Sequence, residues 1–272
     1  MLQYTTQACV IRVSGKDGID LLHRLSTADL RPLKTHPGNL PTVFTNAQGR
    51  IIDWCHVIRT DDDLFLIGSP NRASTIIAWL EQFTIMEDVT YTHLIDWHVV
   101  QTFDEISICE GIVIPGLDAW GNNSLTIGPH QSTSISKGSY EIRRVIAGIP
   151  SSEHEFPTQV NPLELRLKPY IAWDKGCYIG QEVISRIDSY NKLSWVLMGF
   201  SCASPAQQSV DAKLRLDGKP LGRVTSWVNT EQGSAGLAIV KASEAYPQTI
   251  EVFSNDVTYA AQLEDRPFWK NT

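Results

Sequence analysis

From residue 194 onward the chain breaks into six short runs rich in strand formers, with no helical periodicity between them: 194–202, 213–216, 221–228, 234–240, 249–253 and 257–263. Asp217-Gly218 and the Ser254-Asn255-Asp256 step sit where tight hairpin turns are needed. Six short strands without a helix predict a small closed or nearly closed barrel over 194–272.

The preceding residues mix both periodicities. A strand is predicted over 9–13, ended by Ser14-Gly15. Ile19, Leu22 and Leu25 then recur at helical spacing, with Leu21 beside them. A strand over 42–45 leads into a turn at Asn46-Ala47-Gln48-Gly49, and 51–60 and 64–68 pair as a hairpin. Ser69-Pro70 reads as a helix start, with Ile76, Trp79, Leu80 and Phe83 as the buried stripe. Strands are predicted over 89–94 and 99–108, loop with short strands over 116–139, and a strand over 140–146. An irregular crossing segment follows over 148–161, then a short helix over 162–167 and a helix over 182–188. The fold class is α+β, with a domain boundary near Leu193.

The chain has 272 residues, 42% hydrophobic and 19% charged, enough apolar material for packed cores. A formal net charge of −7 argues against broad binding to nucleic acid, which rests on neutralising phosphates. The five cysteines (Cys9, Cys55, Cys109, Cys177, Cys202) are scattered, with no C-x-x-C pair, and no H-x-x-x-H pair occurs. Neither a disulfide framework nor a self-contained metal site is expected, and a reducing cytoplasm is. No secretory leader and no run of roughly 20 apolar residues is visible, so a soluble protein without membrane contact is expected.

One segment concentrates chemistry: Lys175-Gly176-Cys177-Tyr178-Ile179-Gly180-Gln181-Glu182. Two glycines bracket the cysteine and permit sharp turns. A lysine two residues upstream and the start of a helix just downstream would each favour thiolate over thiol. Gln181 and Glu182 add an amide and a carboxylate in the next turn. Residue types alone leave the ordinary outcome, a buried inert cysteine, in front for Cys177, and more so for Cys9, Cys55, Cys109 and Cys202 in their apolar strand patterns.

That eight-residue segment resembles the signature of the YgfZ family, which includes mitochondrial iron–sulfur assembly factors. Other stretches agree in order. Residues 10–17 resemble the family's opening strand and turn, Thr27-Ala28-Asp29 its Thr-x-Asp element, and Gly49-Arg50-Ile51-Ile52-Asp53 its Gly-Arg strand. Gly222-Arg223-Val224-Thr225-Ser226 resembles a strand shared with glycine-cleavage aminomethyltransferases. The resemblance implies two α+β subdomains (about 1–45 plus 140–193, and 46–139) and a C-terminal six-stranded β-barrel over 194–272, around a folate-sized opening.

It also implies a tetrahydrofolate-binding accessory protein in the synthesis or repair of iron–sulfur enzymes, including those that modify tRNA. Such a protein would be a monomer acting on iron–sulfur client or assembly proteins, not on RNA directly. Cys177 would be the reactive thiolate, Lys175 would lower its pKa, and Gln181 and Glu182 would orient the loop. Candidate folate contacts are Asp53, Trp54, Trp173, Tyr178, Asn161, Glu164 and Arg186, with Arg50, Arg166, Lys168 and Lys192 as further partners for the anionic tail. Aminomethyltransferases carry two consecutive acids where this chain has Asp53-Trp54, and an indole cannot hold a proton for catalysis. A folate-dependent aminomethyltransferase or demethylase and a non-catalytic scaffold stay open as alternatives.

Overall fold

A computed structural model describes residues 2–6, 8–103, 111–115, 124–129, 131–207 and 212–266. Along the chain run β1 (Gln3–Thr6), β2 (Cys9–Ser14), α1 (Gly18–Leu25), β3 (Gly38–Thr45), β4 (Ile51–Arg59), β5 (Leu64–Gly68), α2 (Ala73–Glu81), β6 (Thr90–His93), β7 (His98–Thr102), β8 (Ile112–Pro115), β9 (Ser124–Gly128) and α3 (Lys137–Ala147). Then come α4 (Gln181–Ser189), β10 (Trp195–Cys202), β11 (Lys213–Leu216), β12 (Lys219–Thr230), β13 (Gly233–Lys241), β14 (Gln248–Ser254) and β15 (Val257–Glu264). The strands form a five-stranded sheet in the order β3-β4-β5-β2-β6, a four-stranded sheet β1-β7-β9-β8, and a closed six-stranded barrel β10-β13-β12-β11-β14-β15. The α+β class and the C-terminal barrel agree with the sequence reading. Cys109, 104–108 and 116–123 lie outside the described residues, as does the 267–272 end of the region assigned to the barrel.

The five-stranded sheet follows the period of two closely. Cys9, Ile11, Val13, Phe44, Cys55, Val57, Leu64 and Leu66 face α1 and α2 and form one core with Leu21, Leu22, Ile76 and Leu80. Val10, Ile58, Phe65 and Ile67 face the opposite way, onto Val99, Leu125 and Ile127 of the four-stranded sheet. The β3–β4 hairpin pairs Val43 with Trp54 and Phe44 with Asp53, so continuous sheet hydrogen bonding runs across the subdomain division expected near residue 45. In the barrel, Asp217-Gly218 and Asn255-Asp256 take positive φ at both turn positions, as two-residue hairpins of this twist require.

Three local expectations are corrected. Residues 140–146, rich in strand formers, lie within helix α3. Ser136 caps it by accepting from the Ser139 N–H at 3.1 Å, and Gly148 closes it at φ 80°. These end signals and packing on β12 and β13 override strand propensity. Ser69 does not cap α2. Its N–H and hydroxyl both go to Asp53, and the chain turns through Asn71 (φ 58°) before the helix starts at Ala73. Residues 162–167 are successive turns, because Asn161 Oδ1 takes the N–H groups of Leu163 and Glu164 and Arg166 stands at φ 60°.

The barrel is joined to the rest by a buried polar cluster that explains the Gly222–Ser226 motif. Gly222 lies so close to β13 that a Cβ would sit 2.3 Å from the Ile239 carbonyl oxygen. The pairing with β13 shifts between Val224 and Ser226, which aims Ser226 at α3. Its hydroxyl donates to Glu155 at 2.7 Å and accepts from Arg144 at 2.8 Å. Arg144 also bonds the Ile149 carbonyl at 2.7 Å and pairs with Glu155 at 3.4 Å and Glu141 at 2.9 Å. Glu155 is fully buried and Arg144 nearly so, so removing the carboxylate strands a buried cation. Glu155→Leu is expected to lower stability by about 3 kcal/mol and Ser226→Ala by about 1–2 kcal/mol. Urea unfolding checks this, and unshifted midpoints would show that the cluster does not hold the barrel in place.

Candidate functional site

The loop carrying Cys177 is pinned at both ends. At its start, the Lys175 ammonium donates to the carbonyl oxygens of His23 (2.5 Å), Ser26 (2.6 Å) and Ala28 (2.9 Å). These carbonyls belong to the last turn of α1, to its C-cap residue Ser26 and to the Thr27-Ala28-Asp29 element that follows. The end of a helix leaves carbonyls unpaired and carries partial negative charge, so an ammonium is well matched there. Burial lowers Lys175 to about 8, which still leaves it protonated at neutral pH. Its ammonium also lies 5.4 Å from the centre of the Tyr178 ring.

At the other end, Gly180 takes φ 84° and starts α4. A Cβ there would meet the Asn46 carbonyl oxygen at 2.6 Å and Thr45 Oγ1 at 2.7 Å, so the position requires glycine for both conformation and space. Thr45 Oγ1 donates to the Ile179 carbonyl at 2.5 Å. The β3–β4 turn that receives the loop is held by Asn46 Oδ1, which accepts from the N–H groups of Gln48 and Arg50. Between the pins Cys177 is a free, exposed thiol, whereas Cys9, Cys55 and Cys202 are buried. Burial pushes the Cys9 thiol up to about 12 and that of Cys55 well above its ordinary value.

This changes the part expected of Lys175. An ammonium has three protons, and here all three go to backbone carbonyls, so none is left for the Cys177 sulfur. Gln181 lies partly exposed in the first turn of α4 and Glu182 exposed beside it, where its charge suits the helix start. Tyr178 is turned into a small core with Leu163, Ile171 and Ile184, and burial raises its phenol to about 12. It supports the loop from beneath and offers no open ring face.

The expected folate contacts separate into groups. Asp53 is sealed under α2, held by Ser69 and by the Trp54 N–H, and burial raises its carboxyl pKa. It has no path to a ligand, which corrects its assignment. Trp54, one residue on, faces the opposite side and lies 5.4 Å from Tyr170, ring centre to ring centre. Asn161 and Glu164 brace each other: the Asn161 N–H donates to Glu164 Oε2 at 2.9 Å while Asn161 Oδ1 closes the turn. Burial raises the Glu164 carboxyl pKa, opposed by that N–H and by Arg50 at 3.5 Å. Arg186 is exposed on α4, and Trp173 is 41% exposed with the Lys168 ammonium 5.4 Å from its ring centre. Arg166 is committed to the Leu197 carbonyl and Asp265.

Three segments therefore meet: the β3–β4 turn, the 160–164 turn and the Cys177 loop. The Ile51 N–H bonds the Val160 carbonyl at 3.0 Å, Arg50 reaches Glu164, and Thr45 reaches Ile179. Thr45 and Tyr170 were not singled out from sequence. The Asn46–Gly49 turn was visible there, but nothing in its residues shows that it receives Gly180.

No family model matches the chain. A chloroplastic protein of Arabidopsis thaliana with a provisional transferase name is 27% identical over 86% of the chain and 64% of its own length. Two proteins named mitochondrial iron–sulfur cluster assembly factor IBA57 homologues are similar over 65% of the chain and 51% of their own length: one from Mycosarcoma maydis at 29% identity, one from Pyricularia oryzae at 26%. The chain thus spans about half to two-thirds of the length of these relatives. The crystal structure of glycine cleavage system aminomethyltransferase T from Bartonella henselae superposes with a TM-score of 0.77, at 14% identity, over 98% of this chain and 85% of that one. Among the described residues, no helix is long and apolar enough to cross a membrane.

Lys175→Met keeps the stem and deletes the donors, leaving three carbonyls unpaired. It is expected to cost roughly 2–4 kcal/mol and to speed amide hydrogen exchange at Ile179 and Gly180. Exchange at wild-type rates would mean that the ammonium does not hold the loop.

Proposed function

We propose that this chain, which belongs to the YgfZ-type, aminomethyltransferase-like family, binds tetrahydrofolate and serves the synthesis or repair of iron–sulfur enzymes through Cys177. The observation that carries the reading is the exposed thiol on a loop fixed at both ends. A sulfur meant for packing would be buried, as the other three described cysteines are. An exposed sulfur can meet iron–sulfur cargo or a partner's electrophile as thiolate ligand or nucleophile. Lys175 and Gly180 position it, and Gln181 and Glu182 flank its approach.

A folate ligand suits the residues next to this loop. Trp54 and Tyr170 form a partly exposed aromatic wall on the side of the sheet away from α1 and α2. Arg50, about half exposed and only loosely paired with Glu164, has donors to spare for a carboxylate tail. Bound tetrahydrofolate would supply a reduced pterin able to carry a one-carbon unit. The clients are protein partners, among them enzymes that modify tRNA, and the net charge of −7 fits contact with protein rather than RNA.

Aminomethyl transfer is the second reading, favoured by the fold. It needs a carboxylate facing the ligand. On β4 the kept acid, Asp53, points under α2, and the residue on the other face is Trp54.

In a strain lacking the gene, Cys177→Ala is expected to fail to restore iron–sulfur enzyme activity, while the purified variant binds tetrahydrofolate as the wild type does by calorimetry. Full complementation by Cys177→Ala would refute the part given to the thiol.

A further inference from the structure

A hollow of about 260 Å³ lies beside the first turn of α1, at the other end of that helix from the Lys175 joint. Four segments line it: Gly15 and Lys16 from the turn after β2, Ile19 and Asp20 from α1, Lys34 from the single turn over Arg31–Lys34, and Arg59 from the end of β4.

Alternation along β4 brings Arg59 there. Cys55 and Val57 are buried in the core beneath α1 and α2, and Arg59, two residues further on, continues on the same face where that core ends. The turn that bears Lys16 is fixed on both sides of it. Gly15 takes φ 105° and lies so near the Asp88 carbonyl that no side chain fits, while Asp17 Oδ2 accepts from the Asp88 N–H at 2.9 Å. Ile19 is buried and supplies the apolar part of the lining.

Three bases thus converge on one small space in a chain whose net charge is −7. Lys34 is neutralised by Asp20 at 2.5 Å. Among the described residues, the side chains of Lys16 and Arg59 have no ion-pair or hydrogen-bond partner. Two like charges held close without a counter-charge favour the entry of an anion.

We propose that this hollow binds a small phosphate monoester, with the Arg59 guanidinium and the Lys16 ammonium as donors to the phosphate oxygens. Such a group carries close to two negative charges at neutral pH, which match the two uncompensated cations, whereas a single carboxylate balances one of them. The hollow has the space of several water molecules at about 30 Å³ each, room for a phosphate and a short carbon body against Ile19. A protein chain needs a wider surface than these four segments offer.

Calorimetry on the full chain at low salt tests this, with glycerol 3-phosphate, inorganic phosphate and a phosphoserine peptide as probes. Glycerol 3-phosphate is expected to bind one to one with a Kd of about 1 mM or below, and inorganic phosphate more weakly, since it leaves Ile19 uncovered. Arg59→Gln and Lys16→Gln should each weaken glycerol 3-phosphate about tenfold. Lys241→Gln, on β13 of the barrel, should leave it unchanged. None of the three side chains is buried, so the variants keep the fold, and urea midpoints check that they do. No saturable binding by the wild type would overturn the site, as would a loss in Lys241→Gln equal to that in the other two. Inorganic phosphate or the peptide binding as tightly as glycerol 3-phosphate would overturn the ligand class.

Discussion

The Lys175 ammonium sits where α1 ends and gives each of its protons to a backbone carbonyl, and the placement of the Cys177 loop follows from that. A charged group taken out of water is tolerated only when its hydrogen-bonding capacity is filled, and three carbonyl dipoles fill it. The same contact satisfies acceptors that a short helix would otherwise leave bare. It ties residues about 150 positions apart in sequence, so the Thr27-Ala28-Asp29 element and the lysine of the signature are two halves of one joint. Asp29 strengthens the corner from outside: its bonds to Arg31 hold its carboxyl well below the usual range. Cys177 need not be activated by this lysine to depend on it.

The second joint is steric. Gly180 approaches the Asn46–Gly49 turn so closely that no side chain fits. Together the two joints make the signature loop a short span between fixed points on α1 and on the β3–β4 hairpin. A thiol on such a span stays exposed without wandering, because the backbone on either side has already lost its freedom. The glycines of the signature serve this closeness at Gly180, whereas a Cβ at Gly176 would meet open space.

What could be read from sequence was what repeats locally. The barrel declared itself through alternation and through Asp217-Gly218 and Asn255-Asp256, whose turns need only adjacent residues. The Cys177 segment declared itself because its glycines, lysine and cysteine are contiguous. Helix α3 was missed because Tyr140, Ile142, Val145 and Ile146 favour strands, while its stop and start depend on Ser136 and Gly148 and its stability on the barrel behind it. The work of Lys175 was misjudged because nearness in sequence to Cys177 says nothing about carbonyls supplied by α1.

Alternation along one strand also separates two functions that the fold could host. Asp53 and Trp54 are neighbours in sequence but lie on opposite faces of β4, one under the helices and one on the side away from them. Keeping an acid at position 53 keeps it in a sealed setting where Ser69 and the Trp54 N–H occupy its oxygens. There it fixes the turn that leads into α2. With an indole at 54, the opposite face has no base at that position. On the folate reading proposed above, β4 presents no exposed base, and the reactive group has to be supplied from elsewhere. Among the described cysteines, Cys177 is the one placed in reach of solvent to do so.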